Sequence, residues 1–260
     1  MRLRPQRAGP GRLLQDPRAG WFSLPVGIVV WEIAGRACDF AFLPPFSAAV
    51  TAVWHMTGSG ELPLNIVASL TALLIGYASA VCVGIPLGIL MGRYRRVDVF
   101  LDVYVTILLA TPKLLFVPVL FSLFGTSRLT QVLFIYLSAV VIIAVNARSG
   151  VRGVDAGSVE MARAFGATER QVLTRILLPG ALPLIMAGVR MGMGRGVRAM
   201  IMGDMLIAVV GMGALLRKYG GRFDAASVFG LLLVIVGVAL ACTWTIRSME
   251  RRMTRWTEET

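Results

Sequence analysis

Two long apolar runs constrain this chain more than any other feature. Residues 65–91 form a run of 27 and residues 225–246 a run of 22, and neither contains a formal charge. About 20 apolar residues are enough for a helix to cross the hydrocarbon core of a bilayer. The 260 residues are 57% hydrophobic, more than a soluble domain of this size can bury. Because the runs also lack the alternating pattern of a membrane barrel, we predict an all-α polytopic membrane protein.

The apolar stretches predict about six transmembrane helices within residues 21–246, which form one transmembrane domain. A basic arm, residues 1–20, precedes this domain, and a short charged tail, residues 247–260, follows it. Breaks are expected in the third span near Pro112 and Pro118, because proline lacks the backbone N–H that a helix needs. The predicted spans are residues 21–37, 64–91, 99–124, 129–145, 183–210 and a sixth that ends near residue 246.

The charge pattern predicts how the chain is oriented. The net charge is +12, and most basic residues lie beside the spans, which indicates membrane orientation rather than nucleic-acid binding. Of the 26 basic residues, 17 lie in the arm, the loop after the second span, residues 148–182 and the tail, and five lie on the opposite side. We therefore expect both termini and residues 148–182 in the cytoplasm. Arg217, Lys218 and Arg222 fit this rule least well.

Few residues suggest catalysis or metal binding. The three cysteines, Cys38, Cys82 and Cys242, are far apart, and His55 is the sole histidine. An intramembrane enzyme would need convergent Asp, His, Ser or metal-binding residues at depth, and these scattered residues give that alternative little support. We predict neither catalytic residues nor a metal site.

The segment 160–179 is the longest polar stretch between the apolar halves, and its pattern predicts two short helices joined by a turn. Gly166 lies where the first helix should end, which suits a left-handed residue. Thr168 then offers an N-cap, with Gln171 at the spacing of a capping box. Pro179 is expected to stop the second helix. Such a hairpin between spans should lie at the bilayer surface, with one face free to bind a partner.

This hairpin resembles the EAA loop of ABC-importer permeases, whose consensus is E-A-A, three residues, Gly, nine residues and I-x-L-P. Residues 160–162, Gly166 and residues 176–179 match that spacing, with Met161 in place of the first alanine as the one departure. Other motifs in the same order resemble the nitrate/sulfonate/taurine class. They are Gly60-Glu61-Leu62, residues 83–88, Thr111-Pro112-Lys113, Phe124-Gly125, Asn146, Val154-Asp155, Pro183, Gly188 and Arg190.

The resemblance implies a multi-component importer in a bacterial inner membrane. Such permeases pair with a second copy or a paralogue, and each binds a cytoplasmic ABC ATPase subunit. An extracytoplasmic substrate-binding protein delivers the substrate. This chain has no glycine-rich phosphate-binding loop, so ATP and Mg²⁺ are expected on the partner ATPase and no cofactor on this chain.

In this family the EAA segment forms the coupling helix that docks in a groove of the ATPase. The simpler alternative for such a segment is a hairpin that is merely solvated. Glu160 and Arg163 are three residues apart and therefore neighbours on a helix, and either would also be available to bind the ATPase. The residues to which the resemblance gives the coupling role are Glu160, Met161, Ala162, Arg163, Gly166, Ala167 and Pro179.

Four charged residues at span depth form a second candidate site. Placing a charge in the bilayer costs free energy unless the charge is paired or in contact with water. These residues therefore need partners or a water-filled pathway. Arg195 and Arg198 share a helix face, about 60° apart, and Lys113 is near the middle of the third span. We predict that they and Asp204 form a substrate pathway that favours an anion, with up to six cations around it in a dimer.

Structural ion pairing is the competing interpretation. Arg195 and Arg198 would then pair with carboxylates such as Asp204, Glu32 or Asp102. The family usually has small or apolar residues near the two arginines, and a glutamate near Asp204. A neutral or cationic vitamin precursor stays open as the substrate, as does a channel-like subunit that is not coupled to ATP. Separately, Arg190 near the cytoplasmic end of its span is expected to snorkel or cap the hairpin.

Overall fold

The computed structural model of this chain describes residues 19–37, 42–207 and 210–253, so most of the predicted arm, the end of the tail and Cys38 lie outside it. The described residues form α-helices joined by short turns, with no strand among them. The helices are α1 Ala19–Ala37, α2 Phe46–Gly58, α3 Glu61–Arg93, α4 Arg95–Ala110, α5 Phe116–Phe124, α6 Arg128–Arg152, α7 Ala156–Ala164, α8 Glu169–Val172, α9 Leu178–Leu206, α10 Met212–Gly221 and α11 Ala225–Met253.

Within the described residues, four helical segments are long and apolar enough to cross a membrane: α3, α6, the run Glu169–Leu206 and α11. They match the predicted second, fourth, fifth and sixth spans. The predicted third span is a pair, Arg95–Ala110 and Lys113–Phe124, bent by 93° at Thr111 and Pro112, which confirms the first expected break. α1 covers the predicted first span but is not one of these candidates, so the count of six stays a prediction.

Helix α6 forms the centre of the bundle, with α3 and α9 packed along it. Phe134, Ile135 and Ile143 on α6 are at most 1% exposed, and its apolar residues are buried on most of its circumference. Because lipid can also cover apolar side chains, it is the packing of α3 and α9 against α6, and not its hydrophobicity alone, that makes α6 central.

Glycines let α3 approach α6 closely. The spacing of Gly76, Gly84 and Gly88 predicts helix packing, and the structure confirms it. A Cβ on Gly76 would lie 2.7 Å from the carbonyl oxygen of Val132, and one on Gly84 would lie 2.9 Å from that of Val140. A Cβ on Gly88 would lie still closer to the carbonyl oxygen of Ala144.

Gly88→Ala is expected to destabilise the bundle by about 1–3 kcal/mol, because α3 and α6 would have to move apart at their tightest contact. Thermal unfolding of the purified chain in detergent measures this. Gly194→Ala in α9 is the matched control, since a Cβ there meets nothing within 4 Å. Equal unfolding temperatures for the two variants would contradict the expectation.

Pro179 does not end a helix, so that prediction is wrong. Residues Leu173–Leu177 are π-helical, and α9 starts at Leu178 and continues through Pro179. The proline therefore lies in the first turn of α9, where its missing N–H costs little. Just before the proline, the Leu178 N–H donates to the Leu173 carbonyl, five residues back, in the π-helical pattern. As a result the second arm of the hairpin is continuous with a membrane helix.

Candidate functional site

The first helix of the hairpin, α7, is capped at its N-terminus by Asp155. The Asp155 carboxylate accepts a hydrogen bond from the Ser158 backbone N–H at 2.7 Å and from the Ser158 hydroxyl at 2.9 Å. These bonds favour the charged form, so they lower the pKa of Asp155 below its ordinary value. Gly166 after the helix has φ +80°, the left-handed conformation predicted for it.

The second arm starts with the predicted capping box. The Thr168 hydroxyl accepts a hydrogen bond from the Gln171 N–H at 3.3 Å, and the Gln171 side chain accepts one from the Thr168 N–H at 2.7 Å. Both backbone donors at the helix start are thereby satisfied locally. The turn between α7 and α8 therefore holds its shape through its own residues.

One side of the hairpin packs on the adjacent ends of α6 and α9. Val172 and Leu177 are buried in a cluster with Val151 of α6 and Ile185 of α9. Ala162 and Ala167, two of the predicted coupling residues, are partly buried against this cluster. These two alanines thus pack the hairpin against the bundle.

The opposite face of the hairpin is exposed and partly apolar. Met161 is 59% exposed and Phe165 is 86% exposed. The two residues are four apart, which places them on one side of α7. Phe165 was not among the predicted coupling residues. An aromatic residue four positions from Met161 in a polar segment could have indicated this exposed apolar face. Glu160, Arg163, Gly166 and Pro179 are also exposed.

An ion-pair cluster fastens the hairpin to α3. Glu169 pairs with Arg163 of α7 at 3.1 Å and also with Arg93 at the end of α3. Arg163 therefore pairs with Glu169, not with its neighbour Glu160. Glu160 has no ion pair within the described part of the chain, so its carboxylate is available to a partner.

Three of the four charged residues predicted at span depth line one cavity of about 290 Å³. Lys113 begins the short helical turn at the break between α4 and α5, and Arg195 and Arg198 project from α9. The break in the third span is therefore what brings the lysine beside the arginines. The other lining residues are Pro112, Leu114, Phe134, Ser138, Ala199 and Met202.

The three cations have no carboxylate partner among the described residues. The Lys113 ammonium donates to the carbonyl of Thr111 at 3.4 Å, and the Arg198 Nε donates to that of Gly194 at 3.1 Å. The carboxylates proposed as structural partners bind elsewhere. Glu32 pairs with Arg36 at 2.6 Å, and Asp102 pairs with Arg148.

Asp204 does not line this cavity but lies fully buried in a separate polar cluster. Its carboxylate accepts hydrogen bonds from the Ser69 hydroxyl of α3, the Gln131 amide of α6 and, at 3.4 Å, the Gly213 N–H of α10. Four helices thus meet at one carboxylate. Ser69 and Gln131 went unpredicted, although polar residues inside apolar runs are a signal for such a cluster.

The start of α10 is fitted tightly to this carboxylate. The Gly211 N–H donates to the Asn65 side chain at 2.6 Å, and the Met212 N–H donates to the Ser69 hydroxyl at 2.9 Å. Gly211 has φ +136°, and a Cβ on it would lie 2.5 Å from an Asp204 oxygen. A Cβ on Gly213 would lie 2.6 Å from that of Asp204. Glycine is therefore required at both positions.

Two cations outside the cavity have carboxylate partners. Arg190 pairs with Glu250 of α11 at 3.1 Å, so it joins two helices and does not cap the hairpin. Lys218 pairs with Glu61 at the start of α3. Glu61 also accepts a hydrogen bond from the Tyr219 hydroxyl at 2.6 Å, which raises the pKa of Tyr219 to about 12.

The sequence that forms the hairpin and most of the bundle matches a known family. Residues 84–255 match the family model described as the binding-protein-dependent transport system inner membrane component. The chain belongs to this family. The permease is therefore a subunit of an ABC importer, in agreement with the resemblance of its hairpin.

Curated relatives match along most of the permease. The taurine transport system permease protein TauC of Escherichia coli is 30% identical over 88% of this chain and 85% of its own length. The putative aliphatic sulfonates transport permease SsuC of Escherichia coli is 31% identical over 92% of this chain and 91% of its own. The protein of that name in Bacillus subtilis is 27% identical over 96% and 91%. These similarities are consistent with the sulfonate/taurine class.

The fold also has a match among solved structures. A structure of the MetNI methionine ABC transporter in an inward-facing conformation superposes with a TM-score of 0.66. The match covers 75% of this permease and 96% of the other chain, at 20% identity. The fold is therefore that of an ABC-importer permease.

Proposed function

We propose that this permease imports a small organic or inorganic anion, such as a sulfonate, nitrate or carboxylate, and that its hairpin couples this transport to a separate ATPase. The observation that carries the anion proposal is the cavity lined by Lys113, Arg195 and Arg198. Three cations without carboxylate partners at span depth are costly unless a negative ligand or water reaches them. An anion that passes this point would compensate their charge.

The names of two kinds of relative support the same class of substrate. They refer to taurine and to aliphatic sulfonates, which carry a sulfonate group. Guanidinium groups bind such oxyanions through charge-assisted hydrogen bonds, which are among the stronger ones in proteins. The apolar lining from Leu114, Phe134 and Met202 would suit the carbon chain of an organic anion.

The hairpin is the part proposed to bind the ATPase. Its lower side is packed on α6 and α9, while Met161, Phe165 and Glu160 are exposed on its outer side. Because α8, the π-helical turn and α9 form one continuous helical run, a push on the hairpin would be transmitted directly to the helix that carries Arg195 and Arg198.

The remaining components follow from this proposal. ATP and Mg²⁺ would bind the ABC ATPase subunits, and an extracytoplasmic binding protein would deliver the substrate. A second copy of the permease, or a paralogue, would complete the pathway. The hairpin and both termini would lie in the cytoplasm of a bacterial cell, as the distribution of basic residues predicts.

Replacing both cavity arginines, Arg195→Gln with Arg198→Gln, is expected to lower ATP-dependent uptake of an alkanesulfonate by about tenfold or more. Each lost charge-assisted hydrogen bond is worth about 1.5–3 kcal/mol, and 1.4 kcal/mol is a factor of ten. The measurement is uptake of radiolabelled ethanesulfonate into proteoliposomes that contain the permease, its ATPase and its binding protein.

Arg222→Gln is the control, because Arg222 is an exposed arginine outside the cavity. ATP hydrolysis by the reconstituted complex shows that the ATPase is still bound and active in the double variant. Full uptake by the double variant would refute the anion pathway but leave the importer assignment intact. Uptake of a neutral or cationic substrate in preference to the sulfonate would refute the proposed substrate class.

A further inference from the structure

A second cavity, of about 410 Å³, lies at the junction of α3 and α4 and is not part of the site above. Arg93 and Arg95 line it from this junction, and Arg152 lines it from the end of α6. Its position beside the hairpin places it where the bundle meets the cytoplasmic surface in the proposed orientation. The remaining lining residues are Gly92, Asp98 and Val99.

The lining of this cavity is positive, with three arginines against one aspartate. Asp98 already has two cationic partners, since it forms ion pairs with Arg148 at 2.7 Å and also with Arg152. Arg93 pairs with Glu169. Arg95 is exposed and has no ion pair among the described residues, so its guanidinium is free to bind an anion that enters the cavity.

An apolar face extends from this cavity along α4. Val99 lines the cavity and is 64% exposed, and it begins a row of exposed side chains. The row covers about 140° of the helix, which is broad enough for a hydrocarbon chain to lie against it. Its other members, Phe100, Val103, Tyr104 and Ile107, are each at least 56% exposed.

We propose that this cavity binds the phosphate of an anionic phospholipid, with an acyl chain along the exposed face of α4. Basic pockets between membrane helices on the cytoplasmic side suit lipid headgroups of this charge. A free phosphate ion would use the arginines but not the apolar face. An acidic protein surface would likewise leave Val99 and Val103 unmatched. This site is separate from the proposed substrate pathway and does not depend on it.

The test is native mass spectrometry of the full-length permease, released from nanodiscs made of phosphatidylglycerol and phosphatidylcholine. Retained phosphatidylglycerol is expected to fall about tenfold in Arg95→Gln, because one charge-assisted contact is lost. Arg95→Lys should retain most of it, since the charge is kept. Arg96→Gln is the matched control, because Arg96 is exposed one residue away but does not line the cavity.

Four results would overturn the proposal. An equal loss in Arg96→Gln would indicate diffuse surface charge, and equal retention of phosphatidylcholine would remove the need for an anionic headgroup. Displacement of phosphatidylglycerol by millimolar inorganic phosphate would identify a free-anion site. Unchanged lipid retention in Arg95→Gln, with weaker binding of the ATPase, would assign the arginine to a protein interface.

Discussion

Asp204→Ala is expected to destabilise the permease by about 3–5 kcal/mol, the largest stability effect of any change considered. The fully buried carboxylate accepts hydrogen bonds from Ser69, Gln131 and Gly213. Alanine would leave these three buried donors without their acceptor, and each unsatisfied group costs about 1–3 kcal/mol. The free energy of unfolding in detergent, from denaturant titration of the purified chain, measures the effect.

Asp102→Ala is the matched control for that experiment. Asp102 is also a carboxylate on a helix of the bundle, but its side chain is 47% exposed and it pairs with Arg148 near the surface. Partly exposed pairs of this kind contribute about 0–1 kcal/mol. If Asp204→Ala cost no more than Asp102→Ala, the polar cluster would not be holding α3, α6, α9 and α10 together.

A loss of the α10 anchor is a second expected consequence of Asp204→Ala. The backbone of α10 is tied to the bundle at Met212 and Gly213 through Ser69 and Asp204. Without the carboxylate these amides should exchange hydrogen faster, because local opening would no longer break buried hydrogen bonds. Hydrogen exchange measured by mass spectrometry would show that Asp204→Ala speeds exchange, relative to the original protein, more in peptides from the start of α10 than in peptides from α6.

Phe165→Asp is expected to abolish most ATP-dependent transport while leaving the bundle folded. Phe165 is 86% exposed, so an aspartate there has little effect on the permease alone. In the proposed complex the ring would be buried against the ATPase, where loss of an aromatic anchor costs at least about 2 kcal/mol, or roughly 30-fold in affinity. Burying an unpaired carboxylate adds to this cost. Co-purification of the ATPase and ATP-dependent uptake provide the two measurements.

Ala156→Asp provides the control on the same helix. Ala156 is exposed and nine residues from Phe165, which places it about 180° away around the helix. An acidic residue in the first turn of α7 is also compatible with the helix dipole. If both variants bound the ATPase as well as the original protein does, the proposed docking face would be contradicted. Loss of binding in both would indicate a general charge effect instead.

Local features of the hairpin could be predicted from its sequence because short-range geometry determines them. Gly166 has no Cβ, so it adopts the left-handed conformation at little cost, and Thr168 and Gln171 satisfy each other's backbone donors within four residues. The Pro179 prediction was wrong because a π-helical turn at Leu173–Leu177 leads directly into α9, with the proline in the first turn of α9. A proline signal alone does not contain that information.

The partners of the charged residues could not be predicted from their positions in the sequence. Arg163 had Glu160 as its sequence neighbour, but it pairs with Glu169 across the turn. Asp204 was grouped with Arg195 and Arg198 by depth, yet it accepts hydrogen bonds from α3, α6 and α10. The partners of a buried charge are set by which helices are adjacent, and helix adjacency is a property of the packed bundle.

By itself, the sequence determined the membrane class, the family and the hairpin with its turn. The membrane class and the hairpin depend on length, hydrophobicity or residue spacing within one segment, where the physics acts locally. The family was identified by the resemblance of several motifs along the chain. Only the tertiary structure decided that Lys113 meets Arg195 and Arg198 in one cavity while Asp204 lies elsewhere. That arrangement depends on the 93° break in the third span and on the close packing of α3 on α6 through glycines. Such packing is cooperative between distant segments, so no single segment encodes it.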